Sequence, residues 1–187
     1  MTSVQRVELD PQLAWCLPGE RLLTRAKPSG HIGSTIAGEV TAPHRPRGST
    51  PEPADVIEAL ALPTEAVARG RFRDDEWAHD PTLWGWAYAD APDRLAVRLA
   101  DVLTAGRGEV TLLLSSRRLA VARTHQPFTV RFEADVRHVT AVRPFGLLTG
   151  GGRREFVRAD FADRSALLWQ VIHVRKEAKT VRAGLGL

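Results

Sequence analysis

Cysteine is almost missing: Cys16 stands alone among 187 residues. A single thiol closes no intramolecular disulfide, so a small scaffold held together by cross-links is excluded and a buried free thiol is expected. Lysine is scarce as well. Of 26 basic residues, only Lys27, Lys176 and Lys179 are lysines and 23 are arginines, a bias that fits a GC-rich bacterial genome. Long apolar runs are also wanting: no stretch approaches the roughly 18 residues of a spanning helix. The first ten positions carry Arg6, Glu8 and Asp10 where a signal peptide needs an apolar run. The expected location is the cytoplasm, with peripheral placement at the inner face of the membrane as the second option. The six histidines, His31, His44, His79, His125, His138 and His173, show no paired metal spacing, so neither metal nor other cofactor is expected. Gly150-Gly151-Gly152 lacks the Lys-Ser/Thr of a phosphate loop and the strand-turn-helix setting of a dinucleotide fold. No nucleophile elbow is present, and Asp74-Asp75-Glu76 reads as a solvated acidic loop. An enzyme therefore ranks third among the function classes.

What is there is an ordinary globular composition, 43% hydrophobic and 26% charged, enough for one domain with a packed core. The formal charge of +4 hides an asymmetry. Residues 1 to 106 hold 11 Arg/Lys against 15 Asp/Glu, or −4; residues 107 to 187 hold 15 against 7, or +8. A basic half points to an anionic partner, and docking of that half on its own acidic half is the alternative use of the same charges.

Along the chain, the turn at Pro18-Gly19 predicts a strand from about Arg21 to Ala26, and Pro28-Ser29-Gly30 a second strand from Thr35 to Ala42. Residues 43 to 53 carry four prolines and read as an exposed linker. A short helix is predicted over 54 to 62, a capped turn from Thr64 to Gly70 and an irregular charged stretch from 71 to 80. A clearer helix follows Asp90 as N-cap, with Leu95, Leu99, Val102 and Leu103 on one stripe and Gly106 as terminator. From Glu109 the apolar period changes to two. Strands are predicted at Val110–Leu114 and Leu119–Arg123, joined by Ser115-Ser116-Arg117-Arg118, then around Phe128–Phe132, Val136–Val142 and Phe156–Phe161, with Pro144–Arg154 a mobile loop. Leu167, Val171, Val174, Ala178, Val181 and Leu185, spaced 4, 3, 4, 3, 4, predict one closing helix capped at Asp163 or Ser165; a strand over 166 to 172 is the alternative, and the helix is preferred because the spacing persists for five intervals. Lys176, Lys179 and Arg182 then suit its negative end.

Pro18-Gly19-Glu20-Arg21-Leu22-Leu23, the strand-turn-strand from Gly108 to Leu119, and Phe156 through Phe161-Ala162-Asp163-Arg164-Ser165 leading into a helix resemble the PH-like superfamily, specifically its GRAM-type members. The resemblance covers about half the chain. It implies an α+β fold, an antiparallel β-sandwich or barrel closed by a C-terminal amphipathic helix. One domain, 1 to 187, is expected: opening strands in 17–42, a Pro-rich linker and helical, Trp-containing insertion in 43–107, β-hairpins and closing helix in 108–187. Known family members bind lipids in some cases and proteins in others.

The expected function is a non-enzymatic interaction module for an anionic partner, an acidic protein surface or an anionic lipid headgroup, with nucleic acid the second choice. Arg117, Arg118, Arg143, Arg153 and Arg154 are the candidate anion ligands, because forked guanidinium donors match phosphate oxygens and neighbouring glycine amides admit an oxyanion. Trp84, Trp86 and Tyr88 alternate, so an extended chain would project them to one side as an aromatic contact surface; packing onto the sheet is the favoured use of these rings.

Overall fold

Val110, Leu112 and Leu114 alternate with Thr111, Leu113 and Ser115, and both sets are buried. A strand with two buried faces needs a layer on each side. The computed structural model, which describes residues 7–47, 82–106, 108–149 and 152–187, supplies both. The elements are α1 (Pro11–Ala14), β1 (Leu22–Ala26), β2 (His31–Ile36), β3 (Glu39–Thr41), β4 (Leu83–Ala89), α2 (Leu95–Ala105), β5 (Val110–Ser115), β6 (Arg118–Arg123), β7 (Thr129–Asp135), a 3-10 turn (Val136–His138), β8 (Val139–Thr149), β9 (Gly152–Phe161), β10 (Ala166–Trp169) and α3 (Val174–Leu185).

Two sheets result. One is antiparallel, in the order β1-β5-β6-β7; the other has the order β3-β2-β4-β10-β9-β8 and is antiparallel except where β2 runs parallel to β4. Among the described residues both sheets remain open, with β1 and β7 as the edges of one and β3 and β8 of the other, so no barrel closes. The chain is thus an α+β protein, mostly strand, with a C-terminal helix. The main core lies between the sheets and the two long helices, gathering Ile32, Trp84, Leu99, Leu112, Val121, Val157, Leu167, Trp169, Ala178 and Val181. The far face of the four-stranded sheet, with Leu113, Ala120 and Ala122, is covered by Trp15 from the N-terminal segment. None of the helices formed by described residues is long and apolar enough to cross a membrane.

Several expectations change. The 43–107 stretch is not merely linker and helices, because it supplies β4, a central strand paired to β2 and β10. A bulge there also breaks the aromatic alternation: one step on β2, His31 to Ile32, spans two on β4, Leu83 to Gly85. Trp84 consequently joins the inter-sheet core while Trp86 packs on the opposite face with Leu83, Phe156 and Leu168. Trp84 is thus set apart from Trp86 and Tyr88, which stay on one side with ring centroids 6.4 Å apart, and both tryptophans are buried.

The β5–β6 connection is two residues, Ser116-Arg117, shorter than the four expected. The 136–142 strand starts three residues late, after the 3-10 turn, and the expected loop from Pro144 to Arg154 is mostly the paired arms of β8 and β9. The closing helix begins at Val174, and 166–169 is strand β10, where Leu167 and Leu168 face opposite sides of the sheet. The predicted helix at 54–62, the turn to Gly70, the charged stretch to Asp80, Trp77 and most of the Pro-rich linker lie outside the described residues.

Asp90 is not the cap of α2. Its carboxylate instead holds Arg94 and Arg164, at 2.6 and 2.9 Å. The free amides of the first turn are met from far along the chain: Leu95 N–H donates to Asp163 Oδ2 at 2.6 Å and Ala96 N–H to Ser165 Oγ at 3.1 Å. Burial pushes the Asp163 carboxyl up, but the Leu95 amide and the Ser165 hydroxyl and amide outweigh it and hold the group below its ordinary range. Losing this tie should cost more than an exposed ion pair does. Asp163→Ala is expected to destabilise by about 1–2 kcal/mol in urea unfolding, as a lost N-cap does, and Asp90→Ala by no more than about 1 kcal/mol.

Candidate functional site

Of the five arginines nominated from sequence, the three with described side chains, Arg117, Arg118 and Arg143, do not converge. Arg117 sits exposed in the β5–β6 turn, while Arg143 is on β8 in the other sheet, within 3.3 Å of Asp160. Asp160 also accepts from Arg158 Nε at 2.7 Å, and Arg158 lies over the rings of Tyr88 and Phe145, 5.9 and 5.7 Å from their centroids. The charge of Arg143 is therefore partly compensated. Arg153 and Arg154 stand on β9 opposite Leu148 and Leu147, and only their backbone is described.

Arg118 serves the fold. Its guanidinium donates to Glu20 through Nε at 3.1 Å and Nη2 at 2.8 Å, to Glu133 through Nη1 at 3.0 Å, and to the Trp15 carbonyl at 2.8 Å. It also stacks 4.7 Å above the Trp15 ring. Four of its five N–H groups are thus engaged, leaving little for a ligand. Burial raises the Glu20 carboxyl, but hydrogen bonds from Arg118, from the Ser115 hydroxyl and from the Leu17 amide overcome it and bring the group down to about 2.

A second polar chain had no signature in the sequence. Ser34 on β2, His44 after β3 and Asp101 on α2 form a line, with Ser34 Oγ 2.8 Å from His44 Nδ1 and His44 Nε2 2.7 Å from Asp101 Oδ1. Arg47 Nε reaches the other Asp101 oxygen at 3.4 Å. These are the residue types of a hydrolytic triad, but Ser34 Oγ meets Nδ1 where a triad serine meets Nε2, and Ser34 is fully buried within a strand. No substrate carbonyl reaches that oxygen. The chain of bonds joins the residues after β3 to the six-stranded sheet and to α2, and separations of 10 and 57 positions left nothing to read in advance. Among the described residues, no cluster of three or more His, Cys, Asp or Glu side chains could hold a metal ion.

A concentrated patch of exposed positive charge lies on α3. Val174, Ala178 and Val181 are buried against the core, and α3 packs on β8, β9 and β1. At 100° per residue, Arg175, Lys176, Lys179 and Arg182 fall within an arc of about 120° on the other side, and all four are exposed. The helix's one acid, Glu177, is turned inward and hydrogen-bonded to Thr24 of β1. Arg175 lies 3.7 Å from Glu155; Lys176, Lys179 and Arg182 make no ion pair among the described residues.

The true start of the helix reverses one expectation. Arg175 and Lys176 stand in its first turn, at the positive end of the macrodipole, where a cation costs the helix about 0.3–1 kcal/mol. Only Arg182 occupies the last turn, where it helps. Helix stability does not explain the first pair.

Comparison of the chain with family models, with curated proteins and with solved structures returned no match.

Proposed function

We propose that the chain is a non-enzymatic interaction module of PH/GRAM-like design that binds an anionic partner through the exposed side of α3. The observation that carries this reading is the single-signed face of that helix, Arg175, Lys176, Lys179 and Arg182, with Glu177 withdrawn into the fold. The β5-β6-β7 meander, the second sheet and the C-terminal helix support the PH-like design; the six-stranded sheet and its parallel β2–β4 pair depart from it. The contact surface moves from the loop arginines to the helix, and Arg117 of the original set stays exposed without an ion pair among the described residues.

Binding assays with polyglutamate and with anionic vesicles test the reading. Wild-type protein is expected to bind at low salt and to release as salt rises, because exposed charges are screened over about 10 Å at 0.1 M. Arg175→Glu/Lys176→Glu/Lys179→Glu/Arg182→Glu should weaken binding by at least tenfold while the protein still melts cooperatively as a folded chain, since all four side chains are exposed. Failure of the wild type to bind any anionic probe would remove the proposal.

A further inference from the structure

Resting on the anionic-partner reading, we infer that the partner is an anionic lipid bilayer, and that Ile172 enters it as an apolar anchor beside the basic face of α3. Ile172 is 92% exposed, more than any other large hydrophobic side chain among the described residues. It belongs to no frayed end. Trp169 before it and Val174 after it are buried in the main core, and Val171 packs against that core, so the turn between β10 and α3 is pinned on both sides and holds Ile172 outward. An isoleucine presented this way gains nothing from water.

The surrounding charges choose the occupant. Arg175 and Lys176 follow Ile172 by three and four positions, in the helical turn where their charges oppose the macrodipole. A bilayer with acidic headgroups satisfies both features at once, because anionic phosphates lie in the plane of the cations and hydrocarbon lies just below. An acidic polypeptide satisfies only the cations. A nucleic acid would do the same, since an aliphatic side chain offers no ring on which a base can stack. Charge alone also gives a weak association: four basic residues near an acidic surface bring the affinity to roughly the millimolar range. One further apolar contact then has a visible effect.

The test compares wild type, Ile172→Ser and Ile172→Trp on three probes: vesicles of phosphatidylcholine, vesicles containing phosphatidylglycerol, and dextran sulfate, a polyanion without hydrocarbon. The expected result is binding to the phosphatidylglycerol vesicles and not to phosphatidylcholine alone. Ile172→Ser should weaken vesicle binding about tenfold, the order expected for withholding an isoleucine side chain from an apolar phase. It should leave dextran sulfate binding unchanged, and Ile172→Trp should retain or strengthen vesicle binding. Equal vesicle binding by wild type and Ile172→Ser would overturn the inference, as would binding to dextran sulfate with none to vesicles; in both cases the anionic-partner reading survives. A loss of equal size on vesicles and polymer would overturn it too, because the side chain would then act without hydrocarbon. Absence of binding to every probe removes both readings together. Because Ile172 makes no core contact, none of these outcomes is confused with unfolding.

Discussion

Arg118→Ala is expected to destabilise the protein by about 3–5 kcal/mol, the usual result of removing one partner from a buried ion pair, and to lower the melting temperature by roughly 10 °C for a chain of this length. The size follows from what is left behind. The Glu20 side chain is completely buried, and without Arg118 it keeps only the Ser115 hydroxyl and the Leu17 amide. The same substitution strips the Trp15 carbonyl and the cation stacked on the Trp15 ring. Trp15 is the residue that covers Leu113, Ala120 and Ala122, so the outer layer of the four-stranded sheet loosens with it. The double variant Glu20→Leu/Arg118→Met should recover most of the loss, because removing both charges removes the desolvation cost of each. Equal destabilisation in the single and double variants would show that packing, and not the stranded carboxylate, sets the effect.

The same carboxylate fixes an acid limit. Folded, Glu20 titrates at about 2; unfolded, it returns to about 4.5, its ordinary value. A group with a lowered folded value binds its proton more readily in the unfolded chain, so its contribution is complete above the unfolded value and disappears as pH falls toward the folded one. Stability in urea should therefore fall between pH 4.5 and 2 in the wild type, and more shallowly across that window in Glu20→Gln.

The parts of the fold that the sequence disclosed are those held by local periodicity. The hairpin from Val110 to Arg123 was legible because alternation and a polar turn are written in neighbouring residues, and α2 because Leu95, Leu99 and Leu103 repeat at helical spacing. Strand β4 was hidden by its own burial: Leu83-Trp84-Gly85-Trp86-Ala87 has no polar side to reveal a period, and the bulge at Trp84 sets the two tryptophans on opposite faces. Strand β10 was hidden by coincidence, since Leu167 happens to continue the 4, 3, 4 spacing of α3. The site suffered in the same way. Arg118 reads as a turn residue, and only the docking of the 15–20 segment, about 100 positions away in sequence, turns it inward. The basic excess of the C-terminal half was visible, but the inward turn of Glu177, which makes one side of α3 single-signed, depends on a hydroxyl in β1.

Gly33→Ala is expected to cost about 2–3 kcal/mol, and Gly33→Val about 4 kcal/mol, by the overpacking that an added carbon forces on a filled core. A glycine inside a strand ordinarily gains from acquiring a side chain, so the sign here comes entirely from a neighbour. Gly33 stands beside Trp86 in the parallel β2–β4 pair, and a Cβ at this position would overlap three carbons of the indole ring. The ring has nowhere to go. It is wholly buried, its Nε1 donates to Thr35 Oγ1 at 3.0 Å, and Leu83, Phe156 and Leu168 enclose it. Trp86→Ala alone should cost about 3–5 kcal/mol through the cavity it opens. In the combination Gly33→Ala/Trp86→Ala the new methyl group has space, so the loss should be smaller than the sum of the two singles by at least 1 kcal/mol, the signature of residues in contact. Strict additivity in urea unfolding would mean that Gly33 is required for some reason other than the indole lying across it. Strand β2 begins at His31, four residues before the expected Thr35, and the expected strand to Ala42 is broken by a turn at Ala37-Gly38 before β3. A bare backbone at Gly33 weakens the strand by itself, and the tryptophan covering it from the adjacent strand supplies the packing that a side chain of its own would have provided.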